Sequence, residues 1–155
     1  MISPELLYRY PFFGGLDNRQ VKAIAMIAQQ IFLDNGATIF HEGQPAEWLY
    51  FLEEGCVSLY YMGSGTTIEK QRDGIHVGDI NPGEPFSISA LIEPYILTAT
   101  ARATKPCRVI KIEAEALKTL FKQDQGLAYI LTLKAAKAVI ERLNTTRVQL
   151  AAAWA

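Results

Sequence analysis

The chain has 155 residues, a length typical of a single domain. Hydrophobic residues make up 50% of it and charged residues 20%, which excludes a disordered tail. The formal net charge of -1 excludes the basic surface that general nucleic-acid binding requires. No apolar run reaches the roughly 20 residues of a transmembrane helix, and the N-terminus lacks the basic start of a secretory signal. We therefore expect one cytoplasmic domain over residues 1–155, with no membrane contact.

Glycine and proline divide the chain into three parts. Ten of the eleven glycines lie within Gly14–Gly83 and all seven prolines within Pro4–Pro106, whereas only Gly126 follows. Because both residue types mark turns, the middle of the chain is expected to form short strands and its end to form helices. We predict N-terminal helices over residues 1–30, a β region over residues 31–112 and C-terminal helices over residues 113–155.

Two helices are predicted before the β region. Ser3 can cap a short helix near residues 4–9, with Pro4 in its first turn. Asp17 and Gln20 have the spacing of a capping box, which predicts the start of a second helix. The apolar residues of this second helix repeat at helical spacing and predict one buried face: Val21, Ile24, Ala25 and Ala28.

About eight short strands are expected in the β region, because apolar and β-branched runs alternate there with turn residues. The predicted strands are residues 31–33, 38–41, 48–52, 56–62, 66–71, 75–80, 97–103 and 107–112. No helical segment separates them, which makes a doubly wound α/β fold unsuitable. The pattern indicates a mainly β fold with flanking helices, an antiparallel sandwich or barrel of the jelly-roll type.

The C-terminal part predicts an unusually long helix. Asp124 can cap a helix that reaches about Leu150, on the order of 40 Å at 1.5 Å per residue. Spacings of alternately four and three residues along it give the a/d pattern of a coiled coil: Tyr129, Leu133, Ala136, Ile140, Leu143, Arg147 and Leu150. A second apolar stripe lies outside this pattern: Leu127, Ile130, Leu131, Ala138 and Val139.

Two apolar stripes on one helix imply two contacts, one with its own barrel and one with a second copy of the chain. We therefore predict a homodimer. Its predicted interface consists of Leu133, Ala136, Ile140, Leu143 and Leu150. A long helix that folds wholly onto one domain is the alternative.

Enzyme chemistry is not indicated. The two histidines, His41 and His76, are far apart in sequence, and no further ligands complete a metal site. No Gly-x-Ser-x-Gly motif is present. Glu53 and Glu54 stand at a predicted turn, where a solvated pair is favoured over an acid/base pair. We predict a protein that is not an enzyme and that has no metal and no cofactor, a bound cyclic nucleotide or other small ligand excepted.

The glycine spacing of the β region resembles that of the cyclic nucleotide-binding domain family, found in catabolite activator/FNR-type regulators and in protein kinase A regulatory subunits. The resemblance extends from about residue 12 to residue 150. It begins with the sequence LDNGATIFHEG over residues 33–43 and continues through residues 48–52, 55–57 and 59–60. It implies an eight-stranded jelly roll, or double-stranded β-helix, followed by a long dimerisation helix.

The resemblance also implies a ligand site between two late strands. In the family this segment begins with Gly-Glu, which Gly83 and Glu84 match. Glu84 would then accept a hydrogen bond from a ribose 2′-hydroxyl. The family segment ends with an arginine followed by small residues and threonine. Thr98 and Ala99 match this end, but Leu97 holds the place of the arginine.

The long helix contributes to the implied site as well, because the family places helix residues near the nucleotide base. Thr146 and Arg147 lie at about the matching point. The missing arginine matters more, since removing one partner of a buried charged pair costs about 2–5 kcal/mol, or thirty- to several-thousand-fold in affinity. Arg102, Arg142 or Arg147 could supply the cation from elsewhere.

Two functions therefore remain open. The first is a non-enzymatic module that senses a small ligand, cyclic AMP or another, and signals through a dimer helix. The second is a structural or partner-binding dimer with a vestigial pocket and an unidentified protein partner. Five residues follow Leu150, too few for a winged helix-turn-helix, so no DNA-binding domain is expected.

Overall fold

Two antiparallel sheets form the body of the protein. A computed structural model describes residues 1–63 and 74–155. Its strands are β1 (Ala28–Leu33), β2 (Thr38–Phe40), β3 (Trp48–Glu54), β4 (Val57–Tyr61), β5 (Ile75–Ile80), β6 (Pro85–Phe86), β7 (Thr100–Ala103) and β8 (Cys107–Glu113). One sheet has the order β1-β8-β3-β6 and the other β2-β7-β4-β5. This is the strand order of a jelly roll, so the predicted fold is confirmed, although the two sheets do not close into one barrel.

The largest differences from the predicted strands lie in three places, and other strand ends differ by one or two residues. Ala28, predicted as helical, is extended (φ -95°, ψ 150°) and begins β1, so the N-terminal helices end before residue 30. A buried methyl group suits the end of that helix and the start of the strand equally well, which explains the error. β6 was not predicted because it has only two residues, and β7 begins at Thr100 rather than at residue 97. The predicted strand at residues 66–71 lies outside the described residues.

The helices begin where local signals predict. They are α1 (Pro4–Tyr8), α2 (Asn18–Ile27), α3 (Ala114–Gln123) and α4 (Gln125–Ala153). The capping box is confirmed: Asp17 Oδ1 accepts from the Gln20 N–H at 2.8 Å, and Gln20 Oε1 accepts from the Asp17 N–H at 3.0 Å. Asp124 caps α4 through the Leu127 N–H at 3.0 Å. Ser3 makes no cap bond, because its hydroxyl donates to the Glu5 carboxylate instead.

α4 has 29 residues and is about 44 Å long at 1.5 Å per residue. Within residues 1–63 and 74–155, neither α4 nor any other helix is long and apolar enough to cross a membrane.

The sheet that contains β3 and β8 is buried on both faces. Alternate side chains, such as Phe51 and Ile110, pack against the N-terminal helices, α3 and α4. The side chains between them, such as Leu52 and Val109, pack inside the roll against the second sheet. Double burial explains why β3 reads as a continuous apolar run rather than as an alternating one.

Glu53 is buried, so the predicted solvated pair Glu53-Glu54 is wrong for its first member. The Glu53 side chain is 0% exposed, whereas that of Glu54 is 63% exposed. Because alternate residues of β3 face the helices, Glu53 follows Phe51 on the covered side. Its carboxylate accepts from Gln30 Nε2 at 2.6 Å and Arg108 Nε at 3.1 Å, and from Tyr10 Oη at 3.4 Å. This cluster joins the N-terminal segment to the sheet.

We expect Glu53→Ala to lower the free energy of unfolding by about 2–3 kcal/mol, because it removes a buried charged acceptor that receives hydrogen bonds from Gln30, Arg108 and Tyr10. Glu54→Ala is the matched control, since Glu54 contacts the same arginine from the exposed side. It should cost less than about 1 kcal/mol. Urea unfolding of both variants measures the difference, and equal losses would show that burial of Glu53 contributes nothing.

Candidate ligand-binding site

A cavity of about 460 Å³ lies between the jelly roll and α4. Both sheets contribute to its wall, together with the 3₁₀ helix Ile88–Leu91, the loop before β7 and one segment of α4. Most wall residues are apolar; examples are Phe40, Leu59, Phe86, Ile88, Val139 and Leu143. A volume of this size is in the range of small-molecule sites.

The structure brings four of the predicted site residues to this one wall: Leu97, Thr98, Ala99 and Thr146. Leu97 is only 5% exposed. Its backbone is held by two hydrogen bonds, from its N–H to Gln44 O (2.9 Å) and from the Gly43 N–H to its carbonyl (2.8 Å). The position at which the family pattern has arginine therefore borders the cavity, and here it presents an apolar side chain.

Gly83 and Glu84 do not line this cavity. They border a separate cavity of about 140 Å³ beside α4. Gly83 has a φ of +91°, and its N–H donates to Leu52 O at 2.8 Å. The Glu84 carboxylate accepts from the Asn81 N–H. The carboxylate that the resemblance assigns to a ribose hydroxyl thus closes the turn before β6.

Of the three arginines considered as substitutes for the missing cation, Arg142 lines the cavity. Its Nη2 donates to Pro85 O at 2.7 Å. Burial lowers the pKa of the Arg142 guanidinium, and the Glu84 carboxylate opposes this shift. Arg102 instead lies over the Tyr60 ring, 5.2 Å from its centroid. Arg147 is exposed on α4 and is not part of the wall.

Ser87 is a wall residue that the sequence did not indicate. It is 9% exposed and adopts a left-handed backbone conformation with φ 61°. Its Oγ and the Nε of Arg142 are buried without a hydrogen-bond partner. Arg142 could have been placed from the sequence, because it precedes Thr146 by one helical turn and so shares its face. No signal of comparable strength marks Ser87.

α4 presents three faces. Leu127, Leu131, Ala135 and Ala138 are buried against the rest of the domain. The predicted interface residues lie on the opposite side, and we call them the α4 seam: Leu133, Ala136, Ile140, Leu143 and Leu150. The four large side chains of the seam are 44% to 60% exposed. Between these faces, Val139, Arg142, Leu143 and Thr146 border the cavity. Leu143 therefore belongs to both the cavity wall and the seam.

Comparison with known proteins agrees with this architecture. The family model of the cyclic nucleotide-binding domain matches residues 30–124, more than half of the chain. The chain belongs to this family. α4 follows the matched residues, so its contribution to the cavity is read from the structure rather than from the family model.

Members of the cyclic nucleotide-binding domain family with known structure or curated description are similar to this chain. A crystal structure of a protein from Geobacter metallireducens assigned to cyclic nucleotide binding is 38% identical, with a TM-score of 0.80, over 92% of this chain and 99% of that one. The cAMP-dependent protein kinase regulatory subunit of Yarrowia lipolytica is 28% identical over 61% of this chain. The CRP-like cAMP-activated global transcriptional regulator of Mycobacterium tuberculosis is 24% identical over 74%.

The chain spans only part of the two curated relatives, 22% of the regulatory subunit and 49% of the transcriptional regulator. Their activities as whole proteins are therefore not transferred with the domain.

A variant of Glu84 can show whether this carboxylate stabilises the turn before β6 or binds the ligand. We expect Glu84→Ala to lower the free energy of unfolding by about 1 kcal/mol, the net contribution of one hydrogen bond. The Glu84 carboxylate lies outside the cavity wall, and its negative charge partly offsets the positive charge of Arg142. Removing this carboxylate should therefore not weaken binding of cyclic AMP. Calorimetric titration measures this, and a tenfold loss of affinity would place Glu84 in contact with the ligand.

Proposed function

We propose that this domain is a non-enzymatic sensor in which a small ligand in the cavity changes the position of α4. The observation that supports this proposal is that four residues of α4 form one wall of the cavity. A ligand that fills the cavity would contact Thr98 and Ala99 on the roll side and Val139, Arg142 and Thr146 on the helix side. Its binding free energy therefore depends on where α4 lies, which is the requirement for a ligand-driven shift.

The shared residue Leu143 connects the ligand to a second copy of the chain. A movement of α4 that adjusts the cavity wall also moves the exposed seam, because both lie on one rigid helix. We therefore propose a homodimer through the α4 seam, in which ligand binding alters the packing of the two helices. The exposed apolar row opposite the packed face supports this, since one domain leaves it uncovered.

The relatives named as cAMP-dependent and cAMP-activated support a cyclic nucleotide as one candidate ligand. Leu97 argues for weak binding of cyclic AMP, because the family's arginine would have met the phosphate from this side. We expect a dissociation constant of tens of micromolar or higher, on the order of the loss of one charged contact.

Leu97→Arg tests this interpretation of the pocket. A guanidinium at this position would face a bound phosphate, so we expect affinity for cyclic AMP to rise about tenfold or more. Leu97→Met is the matched control, because it keeps a similar apolar volume without charge, and it should bind as the parent does. Isothermal calorimetry on the three proteins decides the matter. A folded Leu97→Arg protein with no gain would mean that the segment from Pro85 to Pro94 prevents nucleotide binding.

The dimer is tested at two seam residues that do not line the cavity. We expect the double variant Leu133→Glu with Ile140→Glu to sediment as a monomer, since it places charges in an apolar interface. Thr145→Glu is the control, because Thr145 is exposed on α4 on the side away from the seam. It should sediment as the parent does. A parent protein and double variant of equal mass would show that the seam is not the interface.

A second function has support from particular residues. Leu97 replaces the family's arginine, and the Glu84 carboxylate is used within a turn, so two contacts expected for a cyclic nucleotide are missing. These losses favour a structural or partner-binding dimer with a vestigial pocket. A native mass spectrum of freshly purified protein separates the two functions. A small molecule bound to the dimer supports the sensor, and a dimer without one supports the scaffold.

The proposal includes a cytoplasmic location. Cys56 and Cys107 are both free thiols, which fits a reducing compartment. The curated relatives bear the names of a regulatory subunit and a regulator, which supports a regulatory rather than an enzymatic role.

A further inference from the structure

We infer that Arg142 and Ser87 form an anion-binding pair in the cavity wall, and that the ligand is an organic anion with one phosphate or carboxylate on an apolar body. The inference rests on the proposed function, because it names the ligand class of the same cavity. It differs from the family pattern, in which the cation stands at the position of Leu97.

Two unpaired buried atoms point to this pair. Across residues 1–63 and 74–155, the only buried side-chain nitrogen or oxygen atoms without a hydrogen-bond partner are Ser87 Oγ and Arg142 Nε. Both residues line the same cavity. Buried polar groups in folded proteins are almost always paired, so two exceptions in one wall call for a shared explanation. Neither atom is exposed to the cavity without a ligand, and a small turn of either side chain toward a bound anion would supply the missing acceptor.

The charge of the wall favours an anion. Arg142 is the one cationic residue in the part of the wall that the structure describes, and no aspartate or glutamate is found there. Glu84 influences Arg142 electrostatically but forms no ion pair with it in the described residues. A guanidinium that is partly removed from water and forms no ion pair gains from a ligand that brings a counter-ion. Burial lowers the pKa of Arg142, in agreement with this desolvation, yet arginine stays charged in proteins.

One short segment places both members of the pair. Arg142 Nη2 donates to Pro85 O at 2.7 Å, which anchors one end of the guanidinium, whereas Nε has no partner. Pro85 precedes Ser87 by two residues, so one short segment orients both members of the pair. The Ser87 carbonyl accepts from the Ala90 N–H at 3.0 Å, which begins the 3₁₀ helix. The positive φ of Ser87 is unusual for a residue other than glycine, and such strain is concentrated at functional sites.

The rest of the wall describes the body of the ligand. Phe40, Phe86, Ile88, Leu97, Val139 and Leu143 surround the pair with apolar surface. Inorganic phosphate has no apolar part that could cover this surface. A polyanion carries more negative charge than the single cation, Arg142, could neutralise. A compact molecule with one anionic group and an apolar or planar body satisfies both parts of the wall. Thr98 and Thr146 add hydroxyl groups at its edge, although the Thr146 hydroxyl already donates to Arg142 O at 3.0 Å.

The anion would thus be bound by α4 itself. With leucine at position 97, the charged contact has moved from the roll to the helix that carries the seam. Ligand binding then neutralises a partly buried charge on the element that would transmit the signal.

Matched pairs of probes test the ligand class on the full chain. The pairs are phenyl phosphate with phenol, 3-phenylpropanoate with 3-phenylpropanamide, and cyclic AMP with adenosine. We expect at least one anion to bind about tenfold or more tightly than its neutral counterpart, as a charged contact to a buried guanidinium implies. The phosphate and carboxylate arms show which anion the pair prefers.

Three variants locate the contact. Arg142→Met keeps an apolar stem without charge and should remove the preference for the anion. Ser87→Gly tolerates the positive φ while removing the hydroxyl, and should weaken the anion by about threefold to tenfold, the range for a single hydrogen bond. Arg147→Met is the control on the same helix outside the wall and should bind as the parent does. In nitrogen-15 spectra, the Nε–H signal that disappears in Arg142→Met should shift when the anion is added to the parent.

The outcomes separate this inference from the proposed function. Equal binding of anions and neutral counterparts, or an anion preference that survives in folded Arg142→Met, would overturn the anion-binding pair and leave a sensor of neutral ligands. An anion preference that depends on Arg142 supports the pair even where the dimer does not respond to the ligand, and in that case signalling through α4 fails instead. Binding of no probe of either kind would overturn both.

Discussion

The central strands of one sheet, β3 and β8, are apolar on both faces, and the arrangement of the other elements follows from this constraint. Such strands need a covering layer on each side. The second sheet provides one layer, while the N-terminal helices, α3 and the first half of α4 provide the other. Because α4 has to cover this sheet, its next two turns pass beside the open side of the roll. The cavity is the space left where helix and roll meet.

Local signals explain why much of this fold could be predicted from sequence. A capping box such as Asp17 with Gln20 needs only neighbouring residues, and turn spacing limits the possible strand orders to a few. The errors arose where distant residues decide the outcome. Ala28 is equally buried in a helix or a strand, so its conformation depends on pairing with Ile112 of β8. Glu53 reads as a surface residue until Gln30 and Arg108 are brought to it by the sheet.

The candidate site, like the fold, was predicted from the sequence only in part. The family pattern placed Leu97, Thr98 and Ala99 together, because a short segment keeps its residues close in any fold. It also placed Glu84 at the ligand, whereas the structure has this carboxylate outside the cavity wall, where it accepts from the Asn81 N–H before β6. Ser87 could not be found from sequence, since its burial and its backbone conformation both depend on how β6 and the following 3₁₀ helix pack.

The length of α4 beyond the cavity has a mechanical consequence. The first half of α4 is packed against the domain through Leu127, Leu131, Ala135 and Ala138. Every residue after Arg142 is exposed. From Arg142 to the helix end at Ala153 the axis extends about 16 Å, and a tilt of about 10° at Arg142 would displace that end by about 3 Å. α4 therefore acts as a lever with its pivot at the cavity. Its free arm sets the size of the movement that a partner would sense, while the pocket sets which ligand causes it, so the two properties can change independently.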